Sequence, residues 1–161
     1  MNVNHVNAIC RATQEILTNH LGLEVSHQAP SSGIGSIPSN EIAVILGVKG
    51  ELLGQIVCSF SANTAKEIVG AMMGGIQIDH LDEMCWSAVQ EFGNWIAGRT
   101  ATELSKESCI IDVTTPIINE GESKLHSSYP FITVPMDSRI GRIYVHISVK
   151  EEELKKEAVN V

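Results

Sequence analysis

The sequence predicts an α+β fold: an antiparallel β-sheet flanked by long helices, with an internal pseudo-twofold repeat. Runs with apolar residues at helical spacing alternate with short β-branched, apolar runs that are typical of buried strands. The same order of helix, short strand, long loop and hairpin occurs in both halves of the chain. We therefore expect a single domain over residues 1–161, with half-repeats at about 4–75 and 79–150 and a charged tail at 151–161.

The first half-repeat begins with a helix predicted over residues 4–21, where Gly22 supplies a stop signal. Residues 28–40 are rich in Pro, Gly and Ser, which predicts a loop. Two apolar, β-branched runs at 41–48 and 52–60 then predict a hairpin of well-buried strands.

A second helix follows the hairpin, with Ser61 or Asn63 as its N-cap and a Gly-Gly pair at its end. Asp79 is the predicted cap of the next helix, which is long and continues to about Ser105. After this helix we expect the remaining elements of the second half, namely a short strand at 109–113, a polar loop at 119–128, and strands around 130–134 and 139–149.

The clearest sign of a repeat aligns residues 52–61 with residues 139–148. Gly54 then matches Gly141, and apolar residues alternate on both sides of each glycine. A glycine within a strand often marks a bulge or a close approach of backbone, so this pair predicts an equivalent bend in both halves.

Composition and charge limit the classes of partner. A net charge of −8 without a cluster of Lys or Arg argues against nucleic acid and against an anionic membrane surface. No apolar stretch is long enough to span a bilayer and no secretion signal is recognisable, so we expect a cytoplasmic protein. The histidines show no ligand spacing, which predicts no metal site, and the four cysteines are expected to be reduced core thiols: Cys10, Cys58, Cys85 and Cys109.

A stripe of three polar residues, Ser87, Glu91 and Asn94, stands out in the long helix. Their spacing of four and then three residues brings them onto one helical face. By itself such a stripe is ordinarily a solvated surface. In the first half, Glu15 and Thr18 occupy the places of Glu91 and Asn94, but the polar pattern there is incomplete. The apolar residues of the long helix fall on a different face: Leu81, Cys85, Ala88, Val89, Phe92 and Ile96.

The run S87-x-x-x-E91-x-x-N94, continuing as WIAG with Gly98 and followed by Pro116, resembles the signature of the CheC/CheX/FliY family of chemotaxis phosphatases. Twenty-one residues separate Asn94 from Pro116. The helix and hairpin repeat resembles the architecture of the same family. Because only the second half carries the intact motif, the chain is most similar to the single-site CheX branch, which implies a homodimer.

The resemblance implies removal of the phosphoryl group from the aspartyl phosphate of a CheY-like receiver domain. Asn94 would position the hydrolytic water, and Glu91 would pair with a lysine of the receiver. The remaining family positions would serve partner binding: Ser87 by contact or by supporting Glu91, Gly98 by allowing close approach, and Pro116 by shaping the loop beside the helix. The resemblance implies no cofactor on this chain, with Mg²⁺ held by the receiver.

Two other functions remain compatible with the sequence. The fold could serve as a non-catalytic receiver-binding or flagellar-switch-like scaffold module. A weaker possibility is a small-molecule sensor that uses the groove between the two halves.

Overall fold

The computed structural model describes residues 1–152, so most of the predicted charged tail lies outside the described residues. The helices and strands follow one another in this order: α1 (Val3–Glu15), a π-helical segment (Ile16–His20), β1 (Ser26–His27), β2 (Ser31–Gly33), β3 (Ser36–Pro38), β4 (Ile42–Gly50), β5 (Leu52–Phe60), α2 (Ala62–Met72), α3 (Glu83–Lys106), β6 (Ile111–Val113), β7 (Ile117–Glu120), β8 (Lys124–His126), β9 (Phe131–Ser138) and β10 (Gly141–Glu151).

The main sheet is antiparallel, with the strand order β1-β9-β10-β5-β4-β6. Strand β2 also pairs with β9, and β7 also pairs with β4. Both predicted hairpins are confirmed, as β4–β5 and β9–β10, and they join where β5 pairs with β10 in the middle of the sheet. The predicted antiparallel sheet with helices is therefore confirmed.

The two faces of the sheet are covered differently. Alternate residues of β4, such as Ile42, Val44 and Leu46, are buried in the large core that also contains the apolar faces of the helices. On the opposite face Ala43 and Val57 form a smaller apolar cluster with residues of β9 and of the β3–β8 ribbon. The helices thus lie on one side of the sheet, and the ribbon lies on the other.

Two predicted loops contain strands that the sequence analysis missed. Residues 28–40 include β2 and β3, and the polar loop at 119–128 includes β8 and the end of β7. Strands β3 and β8 pair with each other across a long stretch of sequence, and Ile37 of β3 is fully buried. These strands are too short to show an alternating pattern in the sequence. Their formation also depends on pairing with distant residues, which local patterns do not reveal.

The long helix α3 begins later than predicted. Asp82, and not Asp79, is its N-cap, because the Asp82 carboxylate accepts a hydrogen bond of 2.9 Å from the backbone N–H of Cys85. This bond lowers the pKa of Asp82 below its ordinary value. In α2 the predicted cap is confirmed, since Ser61 Oγ accepts a hydrogen bond of 3.1 Å from the N–H of Thr64.

Helices α1 and α3 pack against each other and run antiparallel. Arg11 of α1 pairs with Glu103 at 2.9 Å and with Glu107 at 3.5 Å, near the C-terminal end of α3. One turn later in α1, Glu15 pairs with Arg99, one turn earlier in α3. The polar residues on this side of α1 are therefore bonded to α3.

The four cysteines are all buried and free, which confirms their assignment to the core. Burial raises the pKa of the Cys10 thiol to about 11 and that of Cys58 to about 12. None of the helices within residues 1–152 is both long and apolar enough to cross a membrane.

Candidate functional site on helix α3

The predicted stripe lies exposed along α3. Ser87, Glu91 and Asn94 are all exposed, whereas Val89 and Phe92, on a different face of the same helix, are fully buried. The structure therefore presents the three polar side chains together to solvent, as their spacing predicts.

The stripe has no partner inside the described chain. Among residues 1–152, no side-chain hydrogen bond or ion pair involves Ser87, Glu91 or Asn94, although their helical neighbours Gln90 and Arg99 are both engaged. The amide of Asn94 and the carboxylate of Glu91 are thus free to bind groups from another molecule without first breaking an internal contact.

Gly93 and Pro116 form the support directly behind the stripe. Both residues are buried, and a Cβ atom built on Gly93 would lie 2.9 Å from Pro116 Cβ and 2.9 Å from Val44 Cγ1. Gly93 therefore allows strand β4 and the loop before β7 to approach the helix next to Asn94. The buried position of Pro116 suits the loop-shaping role better than a direct contact with a partner.

The loop that carries Pro116 is held at both ends. Gln90 Nε2 donates a hydrogen bond of 2.8 Å to the Pro116 carbonyl. Thr114 Oγ1 accepts a bond of 2.9 Å from the N–H of Gly47, and the Thr114 N–H donates one of 2.8 Å to the Gly47 carbonyl. Neither Gln90 nor Thr114 was predicted to support the site. The one signal in the sequence was Gly47, a glycine inside a predicted strand, which often marks a close approach of backbone.

Gly98, one turn beyond Asn94, differs from Gly93 in its surroundings. It is exposed, and a Cβ atom built on it would meet no atom within 4 Å. A glycine inside a helix costs about 1 kcal/mol relative to alanine. Because packing among residues 1–152 does not require a glycine at position 98, the open space beside it is available for the close approach of another molecule.

A group of ion pairs fixes the C-terminal half of α3. The Glu103 carboxylate, only 1% exposed, contacts Arg11 at 2.9 Å, Arg99 at 3.0 Å and Lys106 at 3.1 Å. Burial raises the pKa of Glu103, but hydrogen bonds from Arg11 and Lys106 outweigh it and lower that pKa below its ordinary value. Glu103 is therefore charged at neutral pH and holds α3 to α1.

The two tryptophans that flank the stripe act in packing. Trp86 and Trp95 are half-buried and pack against the main core. The centroid of the Trp95 ring lies 4.8 Å from that of His20, which belongs to the π-helical segment. Both indoles therefore help to seat α3 on the rest of the fold.

Known proteins share this sequence and fold. Residues 42–137 match the profile of the family described as chemotaxis phosphatase CheX. The CheY-P phosphatase CheX of Thermotoga maritima is 31% identical over 152 residues, which cover 93% of this chain and 98% of that protein.

Two solved structures illustrate the structural similarity. A CheC-like superfamily protein from Shewanella sp. PV-4 has a TM-score of 0.82 and 23% identity, with 93% of this chain and 99% of that chain covered. A chain in the CheX-CheY-BeF3-Mg²⁺ complex from Borrelia burgdorferi has a TM-score of 0.69 and 24% identity, with 93% and 100% covered. The profile match, the sequence identity over nearly the whole chain and the intact stripe lead to one conclusion: the chain belongs to the CheX family of chemotaxis phosphatases.

Proposed function

We propose that this chain hydrolyses the aspartyl phosphate of a CheY-like receiver domain. The observation that carries the proposal is the exposed stripe of Ser87, Glu91 and Asn94, which has no partner within residues 1–152. Its relative from Thermotoga maritima is named a CheY-P phosphatase, and the relative from Borrelia burgdorferi forms a complex with CheY.

Asn94 positions the attacking water. A carboxamide can accept a hydrogen bond from the water and donate another without adding charge beside the phosphoryl group. The water oxygen bonds to phosphorus while the bond from phosphorus to the aspartyl oxygen breaks, which yields a free carboxylate and inorganic phosphate. Since an acyl phosphate is already activated, holding this water in line supplies most of what catalysis requires.

Glu91 fixes the position of the receiver by pairing with one of its lysines. The residue lies one turn from Asn94, so the same ion pair sets the depth and direction of the amide. Because Glu91 has no ion pair within the described chain, docking does not exchange one salt bridge for another.

Other residues support the encounter. Ser87 contacts the receiver or supports Glu91, Gly98 leaves room for the receiver backbone, and Pro116 keeps its loop packed behind the helix. We assign Mg²⁺ to the receiver, where it would neutralise the charge of the phosphoryl oxygens. We expect this chain to bind no cofactor of its own.

The finer features of the fold and its setting are proposals as well. We propose that one domain is built from two halves related by a pseudo-twofold axis. Strands β5 and β10 are adjacent and antiparallel, and the matched Gly54 and Gly141 both have positive φ, 147° and 116°. The proposed substrate places the chain in the cytoplasm, and we expect a homodimer, which a solution mass measurement checks.

The decisive experiment measures the lifetime of a phosphorylated receiver from the same organism. Wild type should shorten this lifetime, and Asn94→Ala should slow hydrolysis about 100-fold, as for the loss of a single positioned hydrogen-bonding group at other active sites. Thr18→Ala, an exposed position on the first-half helix, is the matched control and should leave the rate unchanged.

The same experiment separates catalysis from simple binding. Equal rates for wild type and Asn94→Ala would remove the proposed role of the amide. If wild type binds the receiver charged with beryllofluoride and Mg²⁺ but shortens no receiver's phosphorylated lifetime, the chain is a receiver-binding scaffold instead.

A further inference from the structure

Met84 lies in line with two residues of the proposed site. Met84, Glu91 and Gly98 are spaced seven residues apart on α3, so they follow nearly one line along the helix, about 10 Å from one residue to the next. Met84 is the residue of this line that is closest to the N-terminus of the helix.

The side chain of Met84 is 64% exposed. Among the large apolar side chains that residues 1–152 expose, it is the one that shares this line with Glu91 and Gly98; the others are Met1, Val3, Ile34, Ile76, Ile110 and Ile117. Methionine adapts its shape to a partner and is enriched at protein interfaces. Its place beside the stripe therefore indicates a contact and not merely a tolerated exposure.

Three acidic residues lie near Met84 at the N-terminal end of α3 and along its line. Asp82 and Glu83 precede it directly, Glu91 lies two turns ahead, and all three are exposed. No ion pair joins any of them to another residue of the described chain, although Asp82 also caps the helix. An apolar side chain framed by unpaired carboxylates is complementary to an apolar depression bordered by lysine or arginine.

We propose that Met84 is a docking and specificity residue that inserts into an apolar depression, bordered by basic residues, beside the phosphorylation site of the receiver. This inference rests on the proposed function, because it takes the receiver as the partner that meets Glu91 and Asn94. A stable interface covers about 800 Å² on each partner, far more than three small polar side chains provide. Met84 supplies the apolar anchor that the polar stripe lacks.

Binding to a receiver loaded with beryllofluoride and Mg²⁺ tests the proposal. Met84→Gln should raise both the Kd and the KM about tenfold, consistent with the loss of one partly buried apolar contact. It should leave kcat within twofold of wild type, since Asn94 is untouched. Met84→Leu retains an apolar side chain of similar volume and should restore the wild-type Kd.

Ile110→Gln is the matched control. Ile110 is 63% exposed, close to the value for Met84, but it follows the C-terminal end of α3, and helical rise places that end about 33 Å from Met84. Its substitution should leave the Kd unchanged. Higher ionic strength should weaken binding by wild type, since the surrounding carboxylates act through charge.

The outcomes distinguish this inference from the proposed function. A Kd for Met84→Gln within twofold of wild type overturns the docking role, even when Asn94→Ala is inactive. An equal loss of affinity in Met84→Gln and Ile110→Gln also overturns it, because the effect would not be specific to this face. If wild type fails to dephosphorylate but Met84→Gln still weakens binding, the proposed function fails and the docking surface stands.

Discussion

Helices α1 and α3 pack on the same core, but their polar residues are used in opposite ways. In α1, Arg11 and Glu15 are bonded to Glu103 and Arg99 of α3. In α3, Glu91 and Asn94 are exposed, and neither forms a side-chain hydrogen bond or an ion pair within residues 1–152. The polar groups of α1 are thus used inside the fold, whereas those of Glu91 and Asn94 remain available to another molecule.

The difference agrees with the placement of the proposed site on α3 and not on α1. Thr18, the first-half counterpart of Asn94, is exposed but lies in the π-helical segment, and its preceding glutamate, Glu15, is paired with Arg99. That helix therefore lacks both a free carboxylate and a carboxamide at the matching position. Arg11 and Glu15 of α1 instead hold α3 in place.

The largest effect is expected where the two helices meet. Glu103→Gln should lower the free energy of unfolding by about 3 kcal/mol at pH 7, because it breaks a buried network while leaving its cations in place. The maximal dephosphorylation rate should change little, since the Gly93–Pro116 contact still supports Asn94. Urea unfolding and single-turnover hydrolysis measure the two effects.

The pH dependence of Glu103 provides a second check of that network. Its pKa in the folded chain is below the ordinary value of 4.5, so its contribution to stability is complete above that pH and is lost as the pH falls through the lower value. The gap in stability between wild type and Glu103→Gln should therefore be constant from neutral pH to about pH 5 and should shrink as the pH falls below 4.5. A gap that stays constant below pH 4.5 as well would contradict an electrostatic role for the carboxylate.

Gly93→Ala should reveal the support behind the stripe. The added methyl group would lie 2.9 Å from Pro116 Cβ and from Val44 Cγ1, so these residues must move. We expect a loss of about 1–3 kcal/mol in unfolding free energy, despite the better helix propensity of alanine. A slower hydrolysis rate at saturating receiver would also follow if Pro116 helps to position Asn94. Unchanged stability would show that the loop yields readily.

Two matched glutamates test the comparison directly. Glu91→Gln should weaken receiver binding about tenfold and leave unfolding unchanged, because Glu91 is exposed and unpaired within residues 1–152. Glu15→Gln should leave receiver binding unchanged. It should lower the free energy of unfolding by about 0.5–1 kcal/mol, because the partly exposed pair with Arg99 is lost. Calorimetric titration with the receiver measures the affinity of both variants, and urea unfolding measures their stability. If both variants act alike, the contrast between the helices is wrong.

The smallest expected effect comes from Gly98→Ala. Because a Cβ atom there meets nothing within 4 Å, alanine should stabilise the helix by as much as about 1 kcal/mol. The same methyl group should hinder the receiver and raise the Kd severalfold. Thermal unfolding together with receiver binding checks both parts. A more stable protein with unaltered affinity would remove Gly98 from the docking surface.

Much of the fold could be read from local patterns. The hairpins β4–β5 and β9–β10 were predicted because long buried strands repeat β-branched residues between turn signals. Ser61 was predicted, with Asn63 as the alternative, to cap α2, because both residue types are preferred at that position, and Ser61 is the cap. Asp79 was predicted as the cap of α3, but Asp82 is the cap, because the path of the incoming chain decides which carboxylate reaches the free N–H groups of the first turn.

For this protein the sequence alone determined the stripe, since positions four and three apart on a helix share a face whatever surrounds them. Tertiary structure decided everything that depends on distant residues. It paired β3 with β8, placed Pro116 against Gly93, and bonded Arg11 and Glu15 to α3 while leaving Glu91 unpaired within the described residues. The physical reason is that periodicity is a local property, whereas a free side chain results from which segments pack beside it.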